Sequence, residues 1–161
     1  MGTVREIFKL WTDSFSGTKS LRTCINKRKW WMLSKAISER NVKTVLEFGS
    51  GLSTLLMDNL RLSIDSYDSE KSYIDKVKAL CSESVRFHLW NNRDLEVTNK
   101  YDLAFVDGGL PRVKQGEIAF SCSDLVAVDD INACSRSVKI PKDFERIDGG
   151  DRGLAIFRRK S

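Results

Sequence analysis

A pair of glycines marks the first stretch of the sequence where a ligand could bind. In VLEFGSGLSTLLMDNL, Gly49 and Gly51 follow a run of β-branched and apolar residues that is typical of a buried strand, and a helix-like stretch comes next. Glycine allows positive φ angles and lets a ligand approach the backbone closely. A tight strand-to-helix turn also needs glycine for purely steric reasons, so the pair is consistent with a binding loop or with a plain connection.

Residues around the glycines narrow the choice of ligand. A dinucleotide fingerprint would require a third glycine at position 54, where Thr54 brings a side chain instead. Glu47 would repel a pyrophosphate but suits a ligand with an ammonium group. Asp68 stands 17 residues after Gly51, close to the spacing of a carboxylate that accepts hydrogen bonds from ribose hydroxyls. The pattern therefore favours a cationic nucleoside.

Three more carboxylates lie where later strand-like runs end. Asp107 closes YDLAFVD, and Asp129 and Asp130 close DLVAVDD. Ligands of an open parallel sheet bind beyond the carboxyl ends of its strands, so these acids are expected on the same side as the glycine turn. A carboxylate can take a proton from a hydroxyl acceptor, and three carboxylates suit a hard divalent cation such as magnesium.

Short strand-like runs alternate with helix-compatible stretches, and these elements must position the acids and the glycines. Strands are predicted over 43–48, 62–68, 84–90, 101–107 and 124–130. Helices are predicted over 53–60, 70–81 and 112–121, with Ser53 as the cap of the first. Such alternation produces right-handed crossovers, so we predict an α/β fold with a doubly wound, mostly parallel sheet that is covered on both faces.

The two ends of the chain differ from this pattern. Residues 144–148 and 154–159 are β-type runs separated by GGDRG, which predicts an antiparallel hairpin at the C-terminal end of the sheet. Helices are predicted over 1–14 and from about residue 27 to residue 40, joined by a polar loop. We expect one domain over 1–161, with the N-terminal helices in 1–42 and the sheet core in 43–161.

Composition excludes several classes of protein. Of the 161 residues, 41% are hydrophobic and 30% are charged, an ordinary globular balance that favours neither disorder nor a membrane span. The N-terminus lacks the uninterrupted apolar core of a secretion signal, so a cytoplasmic location is expected.

A single histidine and four cysteines without a C-x-x-C pair leave too little for a zinc cluster, and the cysteines are expected to be reduced thiols. The net charge of +5 is scattered among acids, and no dense basic stripe predicts a nucleic-acid partner.

In order and spacing, these motifs resemble those of class I S-adenosylmethionine-dependent methyltransferases. The resemblance rests on LEFGSGLST, on Asp68 in YDSE, on YDLAFVDGG and on DLVAVDDI, and it covers residues 43–159, including the closing hairpin. It implies a Rossmann-like seven-stranded sheet and methyl transfer from S-adenosylmethionine. VDGG looks like the small O-methyltransferase branches, because the proline-aromatic motifs of amino methyltransferases that act on nucleic-acid bases are absent.

The resemblance also implies which residues hold the cofactor. The turn would contact the methionine and ribose part, and Asp68 would bind the ribose hydroxyls. The adenine would lie near LWNNRD, where Asn91 and Asn92 are hydrogen-bonding candidates and Trp90 or Tyr67 would form an apolar wall. The residues implied at the turn are Glu47, Gly49, Ser50 and Gly51.

The acceptor side is implied by the residues after the fourth and fifth strands. Asp107 would stand beside the transferred methyl group, with Arg112 and Lys114 orienting an acidic acceptor or stabilising a deprotonated one. Metal-dependent relatives that methylate catechol-like substrates bind magnesium with an acid after strand four and an Asp-Asn pair after strand five. The corresponding ligands here are Asp107, Asp129 and Asp130, with an aspartate in place of the asparagine.

Further departures keep other functions open. Leu110 stands where the metal-dependent branch carries a lysine base. An RNA ribose methyltransferase would use a Lys-Asp-Lys-Glu tetrad, and the candidates for it are Lys35, Asp107, Lys139 and Glu145. A non-catalytic nucleoside-binding protein is the second alternative. The favoured partner is a small-molecule acceptor.

One further prediction concerns the N-terminal helices, which we expect to help close the acceptor side. Trp30 and Trp31 are candidates for that lid. Adjacent helical residues point about 100° apart, so at most one of the two is expected to face a substrate.

Overall fold

A seven-stranded sheet forms the centre of the molecule. The computed structural model describes residues 2–16, 25–91, 95–109, 111–134, 138–148 and 153–161. The strands are β1 (Thr44–Phe48), β2 (Ser63–Asp68), β3 (Val85–Leu89), β4 (Leu103–Val106), β5 (Leu125–Asp129), β6 (Phe144–Arg146) and β7 (Leu154–Arg159). Their order in the sheet is β3-β2-β1-β4-β5-β7-β6. The first five strands pair in parallel, whereas β7 runs antiparallel to both β5 and β6. The predicted doubly wound sheet with a C-terminal antiparallel hairpin is confirmed.

Helices follow most of the parallel strands. Their bounds are α1 (Val4–Ser14), α2 (Lys27–Glu39), α3 (Leu52–Asn59), α4 (Lys71–Lys78), α5 (Arg112–Cys122) and α6 (Ile131–Cys134). The two N-terminal helices begin with side-chain caps, since Thr3 accepts a hydrogen bond from the Glu6 amide and Asn26 accepts one from the Lys29 amide. The short α6 was not predicted, and most of the predicted N-terminal loop lies outside the described residues.

The sheet separates two apolar cores, and successive residues of β1 belong to different cores. Val45 packs on one face with α1, α2 and α3, while Leu46 packs on the other face beside α5. Every residue of β4 and β5 is buried, as expected for central parallel strands covered on both sides. The strand order reverses between β1 and β4, and the crevice at such a reversal is where ligands of this architecture bind.

The N-cap of α3 differs from the prediction. Helix α3 begins at Leu52 with Gly51 at its N-cap, so the prediction that Ser53 caps it is wrong. Ser53 lies within the first turn of the helix, where its hydroxyl donates a hydrogen bond to Glu47.

Cys81 and Cys122 are free thiols in the described part of the chain. None of the helices in the described ranges is both long and apolar enough to span a membrane.

A buried carboxylate ties β2 to its neighbours away from the glycine turn. Arg86 donates two hydrogen bonds to Asp65, at 2.8 and 2.6 Å, and the Tyr101 hydroxyl donates a third at 2.9 Å. His88 Nε2 lies 2.8 Å from the same carboxylate. Burial on its own would raise the pKa of Asp65, but these hydrogen bonds outweigh it and lower the pKa to about 2. His88 therefore belongs to a structural cluster, as expected for a packed histidine.

The lowered pKa predicts a loss of stability in acid. Asp65 stabilises the folded state above its unfolded pKa of 3.8, and this contribution disappears as the pH falls from 3.8 to about 2. The shift corresponds to roughly 2 kcal/mol of unfolding free energy. Urea unfolding of the wild type and of Asp65→Asn should differ most above pH 4 and converge as the pH approaches about 2. A difference that is constant with pH would contradict the assignment.

Candidate active site

The turn after β1 is shaped by contact between two backbones. Gly49 has a φ of +97°, and a Cβ atom there would lie 2.6 Å from the Gly108 amide nitrogen and 2.8 Å from the Asp107 carbonyl carbon. The Gly49 amide donates to the carbonyl of Tyr67, and the Asp107 amide donates to the carbonyl of Phe48. The turns that follow β1 and β4 are thus packed against each other, which only glycine at position 49 permits.

Glu47 lies beneath this turn. Its carboxylate is fully buried and accepts hydrogen bonds from the hydroxyls of Ser53 and Thr54, each at 2.6 Å, and of Ser66, at 2.7 Å. Thr54 Oγ1 also accepts a hydrogen bond from the Gly51 amide at 2.7 Å. Burial raises the pKa of Glu47 to about 7, against the opposing effect of the three hydroxyls. Glu47 therefore supports the turn from below and does not line the cavity above it.

A cavity of about 430 Å³ opens at the carboxyl ends of the central strands. It lies at the switch in strand order, where a ligand site was expected. The cavity is also bordered by Glu70 and Tyr73 near the start of α4 and by Ile25 from the N-terminal segment. The residues predicted for the site that line it are Gly49, Ser50, Gly51, Asp68, Asp107, Arg112 and Asp130.

Asp68 is held in one orientation at the wall of this cavity. Its Oδ2 accepts a hydrogen bond from the Ser50 amide, and its Oδ1 accepts one from the Glu70 amide, both at 3.0 Å. Burial raises the pKa of Asp68, and these backbone hydrogen bonds oppose the increase. A carboxylate fixed by two amides retains further lone pairs for hydroxyl donors.

A second pocket of about 20 Å³, called the extension below, shares four lining residues with the cavity. Tyr67, Trp90 and Gln115 also border this extension. The Gln115 amide nitrogen donates to the Gly109 carbonyl at 2.9 Å, and the buried Oε1 atom has no hydrogen-bond partner among the residues that the structure describes. Gln115 was not predicted, because a glutamine in a helix gives no sign in the sequence of pointing inward. Asn91 is exposed and does not line the cavity or its extension, and Asn92 lies outside the described residues.

Asp107 and Arg112 form the wall on the β4 side. Arg112 Nη1 donates to the carbonyls of Val106, at 3.3 Å, and Asp129, at 2.9 Å, while Nη2 lies 3.9 Å from Asp107 Oδ1. Burial and the nearby charge of Asp129 raise the pKa of Asp107 well above its usual value, and Arg112 only partly offsets them. Arg112 thereby joins the ends of β4 and β5. Lys114 is exposed and does not line the cavity.

The predicted metal ligands after β5 are already paired with a cation of the chain. Lys29 Nζ lies 2.7 Å from Asp129 Oδ1 and 2.9 Å from Asp130 Oδ1. Among the residues that the structure describes, no group of three acidic, histidine or cysteine side chains is arranged to hold a metal ion. Asp107, Asp129 and Asp130 therefore do not fit a magnesium site of the expected kind. Lys29 was not predicted as a site residue, because it is far from β5 in the sequence and only the folded chain brings the two together.

The N-terminal helices approach the cavity differently from the prediction. Trp30 is 5% exposed and belongs to the apolar core, whereas Trp31 is 63% exposed, so the two tryptophans do point apart as expected. Neither of them lines the cavity, and the prediction of a tryptophan lid is wrong. Among the described residues of the N-terminal region, Ile25 lines the cavity and Lys29 reaches its rim.

The alternative tetrad is not assembled at the cavity. Lys35 lies 3.7 Å from Glu39 on the exposed side of α2, and Glu145 pairs with Arg158 in the C-terminal hairpin. Of the four candidates, Asp107 alone is among the described residues that line the cavity.

Several solved structures share this fold at low sequence identity. The methyltransferase PaMTH1 of Podospora anserina, with SAH bound, has a TM-score of 0.73 at 15% identity, covering 100% of this chain and 89% of that one. The O-methyltransferase TomG of Streptomyces achromogenes, in complex with SAM, has a TM-score of 0.72 at 14% identity over 97% and 90% of the two chains. The N-methyltransferase NodS of Bradyrhizobium japonicum, with SAH, has 0.63 at 10% identity over 96% and 99%. No protein-family model and no curated protein matches the chain. The chain has the fold of class I S-adenosylmethionine-dependent methyltransferases.

Proposed function

We propose that the chain is a single-domain methyltransferase that transfers a methyl group from S-adenosylmethionine to an oxygen atom of a small molecule. The observation that carries this proposal is the cavity at the strand-order switch, where the glycine turn, the fixed Asp68 carboxylate and the half-buried Asp107 lie together. The similar fold of methyltransferases crystallised with SAM or SAH supports the cofactor.

The residues around the cavity fit this cofactor. Gly51 leaves open space at the turn, since the nearest side-chain atom to a Cβ placed there is the Tyr73 hydroxyl at 3.7 Å. Asp68 retains acceptor capacity for ribose hydroxyls, and the unpartnered Gln115 Oε1 can accept a hydrogen bond from an amino group of the purine. When bound, the cofactor supplies an electrophilic methyl group carried by a cationic sulfur.

The chain's own residues account for the acceptor chemistry. Asp107 lies at the cavity wall, and its raised pKa makes the ionised carboxylate a stronger base than an ordinary one, so it can take a proton from a hydroxyl acceptor. Arg112 is fixed by two backbone carbonyls beside Asp107, where its guanidinium group can stabilise an oxygen anion. Oxygen is preferred as acceptor because TomG is an O-methyltransferase and a hydroxyl needs such a base.

Calorimetry tests the cofactor assignment. We expect S-adenosylmethionine and its demethylated product to bind the full chain, with or without magnesium. Asp68→Ala should weaken binding by roughly 10- to 100-fold, because hydrogen bonds to a charged group contribute roughly 1.5–3 kcal/mol. Asp107→Ala should bind the cofactor nearly as well as the wild type and serves as the control.

Two results would count against the proposal. Absence of binding for both nucleosides would overturn it entirely. A non-catalytic nucleoside-binding protein would bind both without turnover. In an enzyme, Asp107→Ala should abolish methyl transfer while binding persists, which can be followed with a labelled methyl group and a panel of hydroxylated acceptors.

A further inference from the structure

Helix α2 places a lysine at the rim of the cavity. Its two carboxylate partners are far from it in the sequence. Lys29 Nζ lies 2.9 Å from Asp130 Oδ1, and Asp130 lines the cavity. The same nitrogen lies 2.7 Å from Asp129 Oδ1, and the Asp129 side chain is only 1% exposed. Two carboxylate oxygens thus converge on a single ammonium group at the end of β5.

The lysine is fixed along its length as well as at its head. Its side chain is 15% exposed, and the aliphatic stem packs against the last hairpin, where a Cβ at position 153 would lie 2.5 Å from Lys29 Cε. Its ammonium group donates a hydrogen bond to Asp130 Oδ1 and lies at ion-pair distance from Asp129 Oδ1. The stem and the head of the side chain therefore hold the nitrogen at one place beside the two carboxylates.

We propose that the Lys29 ammonium is the resident cation of this site, occupying the position between Asp129 and Asp130 and keeping divalent metal ions out. Magnesium binds proteins through one or two carboxylates and several waters, so the two convergent oxygens would suffice for a weak site if the position were open. A charged nitrogen within 3 Å of both oxygens excludes a second cation by contact and by repulsion.

The catalytic consequence of this inference rests on the proposed function. Because the cation belongs to the chain, the negative charge at this end of the cavity is partly neutralised without a metal ion. The acceptor side therefore keeps the same geometry at any magnesium concentration. Lys29 is then a positioning residue, since it acts through Asp129 and Asp130 and does not line the cavity itself.

Binding of Mn²⁺ to the full chain, followed by the electron paramagnetic resonance signal of the free ion, tests the inference. Lys29→Met should bind one Mn²⁺ ion in the sub-millimolar range, and the wild type should bind Mn²⁺ at least tenfold more weakly than this variant. Asp129→Asn in the Lys29→Met background should remove the gained ion. Lys35→Met is the matched control, because Lys35 lies on the same helix with its side chain 56% exposed, and it should gain nothing.

Two outcomes would overturn the inference: a wild type that binds Mn²⁺ as tightly as Lys29→Met, or a folded Lys29→Met that binds none. Thermal unfolding establishes whether the variant folds, and Lys29→Gln, which keeps a polar head without charge, replaces it if it does not. Neither cofactor nor acceptor is present in this experiment. Failure of the proposed function would therefore leave the Mn²⁺ result intact, and the reverse also holds.

Discussion

Gly49→Ala is expected to destabilise the protein by roughly 3–5 kcal/mol, in the range of severe single substitutions. The new Cβ would lie 2.6 Å from the amide nitrogen and 2.7 Å from the Cα of Gly108, and neither atom can move without displacing β4. The φ of +97° adds backbone strain for any residue other than glycine. Denaturant unfolding should show a lower midpoint with little change in slope.

Gly51→Ala is the matched control in the same turn. Its backbone is extended, with a φ of 178°, and the nearest atom to a new Cβ is the Tyr73 hydroxyl at 3.7 Å. We expect nearly wild-type stability and weaker binding of S-adenosylmethionine, since the methyl group would enter the cavity. Equal destabilisation by the two substitutions would contradict the different roles that we assign to these glycines.

Glu47→Gln is expected to stabilise the ligand-free protein and to weaken cofactor binding. Glu47 loses its proton at a pKa of about 7 when folded and near 4.5 when unfolded, so the folded state holds more protons in between. The unfolding free energy of the wild type therefore falls as the pH rises from 4.5 to about 7, by up to roughly 3 kcal/mol. Glutamine stays neutral and avoids that loss.

The pH dependence separates this effect from a general change in packing. Urea unfolding should give similar stabilities for the wild type and Glu47→Gln below pH 4.5 and a more stable variant at pH 8. Calorimetry at pH 8 should show weaker cofactor binding, because an attraction on the order of 1 kcal/mol between the carboxylate and a cationic ligand is removed. A variant that is less stable than the wild type at pH 8 would contradict the prediction.

Most of the fold could be predicted because local patterns determine it. The apolar runs of β1, β4 and β5 are buried on both faces, and the helices between them have the lengths that crossovers require. The start of α3 was misplaced because Ser53 is a good cap by type, whereas in the structure Gly51 is the N-cap and the Ser53 hydroxyl donates a hydrogen bond to Glu47. A hydrogen bond between a helix and the strand beneath it leaves no local sign in the sequence.

Except for Arg112 at the start of α5, the predicted residues that line the cavity lie at the end of a strand or in the turn that follows it. Asp68, Asp107 and Asp130 line the cavity because the strands before them end at the same edge of the sheet. Lys29 and Gln115 belong to helices, and their directions depend on how those helices dock. The acids after β5 resemble metal ligands in sequence, and only the position of α2 reveals that a lysine lies between two of them.

The place of β7 in the sheet has a consequence for how the chain is made. β7 is the last strand in sequence, yet it lies between β5 and β6, and β6 pairs with no other strand in the described sheet. On the ribosome, β1 to β4 can associate while β5 still has an open edge and β6 has no neighbour. Because long-range pairings form slowly, β5 keeps this open edge beside the cavity until β7 has been made and has paired with it.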